Sequence, residues 1–343
     1  MRNSYQTPDT PLILPCGQPR FGFFKKPPSE VNWRDYDSRN PLGGPRSEWT
    51  KNFRFKHFDF YGVQTPEMVF GCALIRLGLV NIAFAYVFDK ASRQFSEWSS
   101  LSPLDMHLQL DARPDGQSRF RKGRCEVISY RDAKLHRLTF KIDEQRSGEV
   151  LIDIADKDLL ALCTPIANTG FAYAQKAPGM SVSGSILWRG KHYEINPLTA
   201  GSCHDWTAGF LRRETFWNWF YVTGHLPDGR TLCLNVSCGV NETSFSENGY
   251  WLDGQFQPLT TTAFSYDKRA PESAAWTVQT SDGALMAEFQ PEGAKKEHLD
   301  RWVMSSRFTQ CFGSVKGRLE TSAGERIDLS SCYGWCEDHY AKW

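Results

Sequence analysis

The chain has 343 residues, and its 40 Lys and Arg nearly cancel its 39 Asp and Glu, leaving a formal net charge of +1. That balance gives no general electrostatic case for a nucleic-acid or anionic-membrane partner. The short basic groups at Lys25-Lys26, Arg119/Arg121/Lys122 and Lys295-Lys296 read as solvated surface. The outlier is aromatic content, with 12 Trp, 12 Tyr and 23 Phe. Such residues favour strands, bury large areas, line lipid cavities and stack on sugars.

The opening stretch MRNSYQTPDTPLILPCGQPRFGFF has no sustained apolar segment and is broken by prolines, which argues against a signal peptide. Residues 1–52, rich in proline, glycine and charge, read as an irregular N-terminal arm, either packed on the body or free of it. The longest uncharged apolar run, Leu77 to Phe88, is twelve residues, too short to cross a bilayer as a helix. The ten cysteines form no Cys-x-x-Cys pair and read as reduced, buried thiols, so a cytoplasmic location is expected.

Helical periodicity is hard to find anywhere in the chain. Short alternating apolar runs recur instead, punctuated by Asp115-Gly116, Asp228-Gly229, Asp253-Gly254 and Asp282-Gly283. The segment FWNWFYVTGHLPDGRTLCLNVSCG reads as a hairpin with a two-residue turn at Asp228-Gly229. That turn would pair Tyr221 with Val236 and Thr223 with Leu234. One face would then carry Trp217, Trp219, Tyr221, Leu234 and Val236, and the other Asn218, Phe220, Val222, Asn235 and Ser237. Either a ligand-cavity wall or a solvent face would suit the mixed second set.

The chain also repeats itself. SVSGSI at Ser181 to Ile186 returns as SVKGRL at Ser314 to Leu319, and GSCHD at Gly201 to Asp205 returns as GWCED at Gly334 to Asp338, both at a spacing of 133 residues. An internal duplication of an all-β domain follows, with domains at 53–200 and 201–343. Each would hold enough strands to close, or nearly close, an antiparallel barrel.

The run MSVSGSILWRGKHYEINPLTAGSCHDWTAGFLRRETFWNWFYVTGHLPDGRTLCLNVSCG, the later ENGYWLDG and the ending GWCEDHYAKW resemble the bacterial domain-of-unknown-function 2804 family, from about Cys16 to the last residue. More distantly, the chain is similar to the carotenoid hydratase and AttH-like superfamily. That resemblance implies two tandem lipocalin-like (calycin-like) barrels and a cavity for an apolar small molecule. It also implies relatives that hydrate or cyclise isoprenoid double bonds by protonation from a carboxylic acid. Asp205 stands at the aspartate of the superfamily's Asp-His-Glu-Trp-Gly-like motif and Gly209 at its glycine, but Asp205 is followed by Trp206, Thr207 and Ala208, so the motif's histidine and glutamate are absent.

Asp205 is therefore the first catalytic candidate, as a general acid kept neutral by apolar neighbours. As a structural alternative, Asp205 and Asp338 would cap equivalent turns in the two copies. His204, replaced by Glu337 in the second copy, is the other candidate, either catalytic or a hydrogen-bonded partner of an aspartate. Candidate ligand contacts are Trp206, Trp217, Asn218, Trp219, Tyr221 and Asn235, with Arg212 for an anionic head group. Asn241, Glu242, Glu247 and Asn248 form a polar loop of the kind found at barrel mouths.

Cys203, His204, Cys336 and His339 are residue types that bind zinc, but their spacing matches no common zinc pattern, so no metal or other cofactor is expected. No nucleophile elbow, phosphate loop or dinucleotide fingerprint occurs. The expected partner is a hydrophobic or amphipathic small molecule such as a lipid or isoprenoid. An acid-catalysed hydratase, cyclase or isomerase and a carbohydrate-binding protein are the alternatives. The sequence leaves the oligomeric state open.

Overall fold

The computed structural model describes residues 10–103, 106–240, 245–301 and 304–343. The chain opens with β1 (Gly22–Phe23), a 3-10 turn (Trp33–Asp35) and α1 (Glu48–Arg54), a short helix capped by Ser47, whose side chain accepts from the Thr50 amide. There follow β2 (Lys56–Gln64), β3 (Met68–Arg76), β4 (Val80–Asp89), β5 (Gln94–Pro103), β6 (Leu108–Gln109), β7 (Gly116–Lys122), β8 (Cys125–Arg131) and β9 (Leu135–Asp143). Next come β10 (Arg146–Asp153), β11 (Leu160–Ile166), β12 (Gly170–Ala177), β13 (Val182–Trp188), β14 (Lys191–Ile195), β15 (Gly201–Gly209), β16 (Glu214–His225) and β17 (Thr231–Cys238). The chain ends with β18 (Gly249–Leu252), β19 (Gln255–Pro258), β20 (Thr262–Ser265), β21 (Trp276–Thr280), β22 (Leu285–Arg301), β23 (Met304–Glu320), β24 (Arg326–Asp328) and β25 (Cys332–Lys342). The architecture is all-β, as the alternating sequence pattern requires.

Two compact units divide the chain. The first runs to Val87 and resumes from Ser96 to Arg212; the second comprises Phe88–Phe95 and Arg213–Trp343. Unit 1 contains an eight-stranded sheet, β1-β11-β12-β15-β2-β3-β4-β5, and a seven-stranded sheet, β14-β13-β10-β9-β8-β7-β6. Their facing sides meet in one apolar core, where Phe70 of the first sheet stacks on Phe140 of the second at 5.3 Å. Gly201–Gly209, expected to open the second domain, is a central strand of unit 1. It bonds to β2 on one side and β12 on the other, so the division falls after Arg212.

Residues 10–52 of the N-terminal arm are largely irregular but docked. Leu12, Ile13, Phe24, Val31, Trp33 and Tyr36 are buried in a cluster that also holds Phe171, Tyr173, Trp206 and Phe210 of unit 1. Trp33 stacks on Phe55 at 4.3 Å, and β1 adds to the sheet edge beside β11. Burying several large aromatic side chains offsets the entropy of fixing so little regular structure.

Unit 2 is built on one ten-stranded sheet, β19-β18-β17-β16-β25-β23-β22-β21-β20, with β24 paired to β23. The β16–β17 hairpin forms where expected, but one residue out of the expected register. Tyr221 pairs with Asn235 and Phe220 with Val236. The cause is the turn: the Leu226 amide bonds to the Arg230 carbonyl, leaving the three-residue loop Pro227-Asp228-Gly229 with Gly229 at φ +90°. Three-residue hairpins place a glycine in this left-handed conformation, and changing the loop length by one residue changes which residues share a face. Phe220, Val222, Leu234 and Val236 therefore form the core face. Trp219, Tyr221, Asn235 and Ser237 share the opposite face.

The repeated segments occupy matching strands. Gln175 pairs with Trp206 across β12 and β15, and Phe308 pairs with His339 across β23 and β25, the same pairing displaced by 133 residues. Gly184 and Gly317 lie at φ +132° and +127°, each where a Cβ would come within 2.1 Å of a neighbouring strand's carbonyl oxygen. The facing differs, however. His204 and Trp206 share a face with the core residue Tyr61, whereas in unit 2 Cys336 lies in the core and Asp338 follows it on the same face.

Candidate functional site

The inner face of unit 1 carries polar groups at the level where β2 and β15 oppose β8 and β9. On β2, His57, Asp59 and Tyr61 alternate with Phe58, Phe60 and Gly62, so all three polar side chains leave one face. Tyr61 pairs with His204 and Asp59 with Trp206, which puts the β15 side chains beside them. From the other sheet, β8 supplies Ser129 and Arg131, and β9 supplies His136, the direct partner of Arg131. All eight of these polar side chains are at most 1% exposed.

A continuous hydrogen-bonded chain links five of them. The Arg131 guanidinium donates from Nη1 to Asp59 Oδ2 at 2.6 Å and to Ser129 Oγ at 2.7 Å. It also donates from Nε to the Pro114 carbonyl at 2.9 Å and from Nη2 to the Arg113 carbonyl at 3.4 Å. The other Asp59 oxygen accepts from His204 Nε2 at 3.0 Å, and Tyr61 OH lies 3.0 Å from Ser129 Oγ. The His204 ring lies against Tyr61 at 4.4 Å and edge-on to His136 at 4.5 Å. His57 meets the Trp206 ring edge-on at 4.6 Å, and the Arg131 guanidinium is 5.7 Å from that ring.

The electrostatics fix the protonation states. Burial alone would raise the Asp59 carboxyl, but the Arg131 charge and the His204 hydrogen bond outweigh it and hold the group below the usual carboxylate range. Burial lowers His204, against the raising effect of Asp59. His136 is lowered well below the ordinary histidine value by burial, then by its neighbours His204 and Arg131. His57 is brought down to about 3, again chiefly by burial. An ionised carboxylate only accepts, so neutral His204 holds its proton on Nε2 and carries its lone pair on Nδ1. Burial pushes the Tyr61 phenol up, keeping it neutral.

Five ring nitrogens in this cluster have no protein partner: His57 Nε2, both nitrogens of His136, His204 Nδ1 and Trp206 Nε1. Nε2 of Gln175, which pairs with Trp206 across the strands, is in the same condition. A buried polar atom without a partner costs about 1–3 kcal/mol, and native proteins hold few of them.

The residues singled out from sequence divide among several environments. His204 and Trp206 belong to this cluster. Asp205, the next residue along β15, leaves the opposite face, where it forms an ion pair with Lys176 and accepts from Thr207 Oγ1 at 3.0 Å. Asp338 accepts from Tyr266 OH at 2.9 Å. Both repeat aspartates are thus mid-strand residues, not turn caps.

In unit 2, Trp217 donates to Glu337 Oε2 at 3.2 Å and lies 4.1 Å from the His339 ring. Asn218 donates to Tyr266 OH at 2.9 Å and to the Glu337 carbonyl at 3.0 Å. Trp219 donates to Asn235 Oδ1 at 2.8 Å, and Asn235 donates to the Glu247 carbonyl at 2.8 Å. Tyr221 is buried, and Arg212 is exposed. Stacking on a sugar needs an exposed ring face, which Trp206 and Trp219 lack. Of the polar loop, Glu247 and Asn248 are buried, while Asn241 and Glu242 lie outside the described residues. Among the described residues, no group of three or more His, Cys, Asp or Glu is placed to hold a metal ion. None of the described helices is long and apolar enough to cross a membrane.

Asp59, Tyr61, Ser129, Arg131, His136 and His57 were not singled out from sequence. The available signal was the strict polar alternation of His57, Asp59 and Tyr61 in a strand whose intervening residues are also apolar or small. A strand buried on both faces leaves no solvent face for such polar residues, and they must meet one another.

Among solved structures, the fold resembles a protein of Nitrosomonas europaea provisionally assigned as AttH, at 15% identity and a TM-score of 0.52, covering 85% of this chain and 93% of that one. Kievitone hydratase from Nectria haematococca is similar at 11% identity and a TM-score of 0.49, covering 83% and 88%. CghA with Sch210972 is similar at 11% identity and a TM-score of 0.49, covering 84% and 88%. No curated protein matches the sequence. The fold is AttH-like, and the family model for the domain of unknown function DUF2804 matches residues 4–343, so the chain belongs to that family.

Proposed function

We propose that this protein is a tandem pair of lipocalin-like barrels arising by duplication, and that the first barrel receives a hydrophobic or amphipathic small molecule. The strand pairing repeated at 133 residues and the equivalent kinked glycines Gly184 and Gly317 support the duplication. The observation that carries the ligand reading is the group of five buried ring nitrogens without a protein partner, set beside the Asp59–Arg131 pair and next to the apolar core of unit 1. A guest whose polar end reaches His136 and His204 would satisfy several of them, and its apolar body would suit the surrounding Val, Leu and Phe side chains. The ten free thiols fit a reducing compartment such as the cytoplasm.

The test is native mass spectrometry of the full chain as purified, followed by solvent extraction. A reproducible small-molecule adduct that His136→Phe fails to retain is the expected result. A protein that is empty as isolated and takes up nothing from a panel of lipids and isoprenoids contradicts the reading.

The hydrogen bond from His204 to Asp59 favours a second, catalytic reading of the same site. A neutral imidazole oriented by a carboxylate presents Nδ1 as a general base, and Asp59 stabilises the imidazolium that forms when it takes a proton. His204 then replaces Asp205 as the proton-transfer group, since Asp205 is engaged with Lys176 on the other face. Turnover of an extracted guest that survives Asp205→Asn and is lost in His204→Gln would support this reading; the reverse pattern would return the role to Asp205.

A further inference from the structure

We infer that the polar end of the guest is an uncharged hydroxyl group, and that the site rejects carboxylates and phosphates. The inference rests on the proposed barrel site and deepens it. Among the eight clustered polar side chains the formal charges are those of Asp59 and Arg131, which cancel across a 2.6 Å contact. Four of the five guanidinium N–H groups of Arg131 are engaged, by Asp59, Ser129 and the Pro114 and Arg113 carbonyls. The arginine is therefore not a clamp for an incoming anion, which would need a bidentate face of that fork. An anion seated here would be a buried charge with no cation of its own, a cost of several kcal/mol.

The groups left over have a definite pattern. His204 Nδ1 offers a lone pair, because Nε2 gives its proton to Asp59. Neutral His136 offers one N–H and one lone pair, both without a protein partner, and Trp206 offers an N–H. The His136 and His204 rings touch edge-on at 4.5 Å between centroids, so one small group beside them can reach both. A hydroxyl donates one hydrogen bond and accepts others, and so satisfies a lone pair and an N–H together. A ketone accepts only and leaves His204 Nδ1 without a donor. A carboxylate also only accepts and meets that lone pair with like charge.

The experiment compares three probes of equal chain length, 1-decanol, 2-decanone and decanoate, by isothermal titration of the full-length protein at pH 8. The decanol is expected to bind at least tenfold tighter than decanoate, with the ketone between them. In His136→Phe the preference for the alcohol is expected to disappear. If that variant does not fold, the ring nitrogens of His136 and His204 in ¹⁵N-histidine-labelled wild-type protein serve instead, and both sets are expected to shift with decanol. Decanoate binding as tightly as decanol, the ketone binding tighter than the alcohol, or an unchanged preference in His136→Phe each overturns the hydroxyl assignment while leaving a barrel site in place. No binding of any probe counts against the barrel site itself and the hydroxyl assignment with it.

Discussion

Replacing Arg131 with methionine removes the guanidinium that faces Asp59 in the core of unit 1. Both side chains are fully buried, the contact is 2.6 Å, and the second carboxylate oxygen is committed to His204. Removing one partner of a buried pair strands the other charge and typically costs about 3–5 kcal/mol. Ser129 Oγ and the Pro114 and Arg113 carbonyls lose donors as well, which adds to the cost. The paired variant Asp59→Leu/Arg131→Met removes both charges, and its penalty is expected to fall well below that of Arg131→Met alone. The assay is urea unfolding followed by tryptophan fluorescence and circular dichroism, with the interaction energy taken from the double-mutant cycle. Equal penalties in the single and double variants would refute the reasoning, because the loss would then come from packing around Arg131 and not from an uncompensated Asp59 charge.

The buried histidines make the fold acid-sensitive. His57 is depressed to about 3 in the folded protein and titrates near 6.5 unfolded, so its contribution is intact above pH 6.5 and is lost as the pH falls towards 3. At pH 5 that loss is about 2 kcal/mol for His57 alone. His136 and His204 act in the same direction, and the depressed Asp59 adds its own loss below the ordinary carboxylate range. Chemical unfolding at pH 7.5 and 5.0 measures the sum, and equal stability at the two values would contradict it. Gly229→Ala places a side chain at φ +90° and is expected to cost about 1 kcal/mol by the same unfolding assay, without moving the hairpin register. Asp205→Asn removes the carboxylate charge paired with the nearly buried Lys176 ammonium, so it is expected to lower stability but leave adduct retention in native mass spectra unchanged.

Much of the fold was legible because strand alternation and turn chemistry are local. The all-β class and the position of the β16–β17 hairpin follow from residues a few places apart. The hairpin register did not, because Pro227-Asp228-Gly229 admits both a two- and a three-residue loop, and the choice moves every opposite residue by one. The Trp219–Asn235 hydrogen bond exists only in the observed register.

The site was half legible. His204 and Trp206 stood out because they cluster in sequence near a recurring motif. Their partners Asp59, Arg131 and His136 lie 145, 73 and 68 residues from His204 and meet it only because β2 pairs with β15 in one sheet while β8 and β9 face them from the other. Asp205 looked the better acid in sequence, but neighbours on a strand leave opposite faces, so choosing between His204 and Asp205 required knowing which face is the interior.

The most direct measurement is long-range ¹H–¹⁵N NMR of histidine-labelled protein at pH 7.5, before and after solvent extraction and re-addition of whatever is extracted. The account predicts neutral rings for His136 and His204, a proton on His204 Nε2, and ring-nitrogen shifts at both residues that follow removal and return of the guest. Doubly protonated rings at pH 7.5, or shifts confined to other histidines, would contradict it.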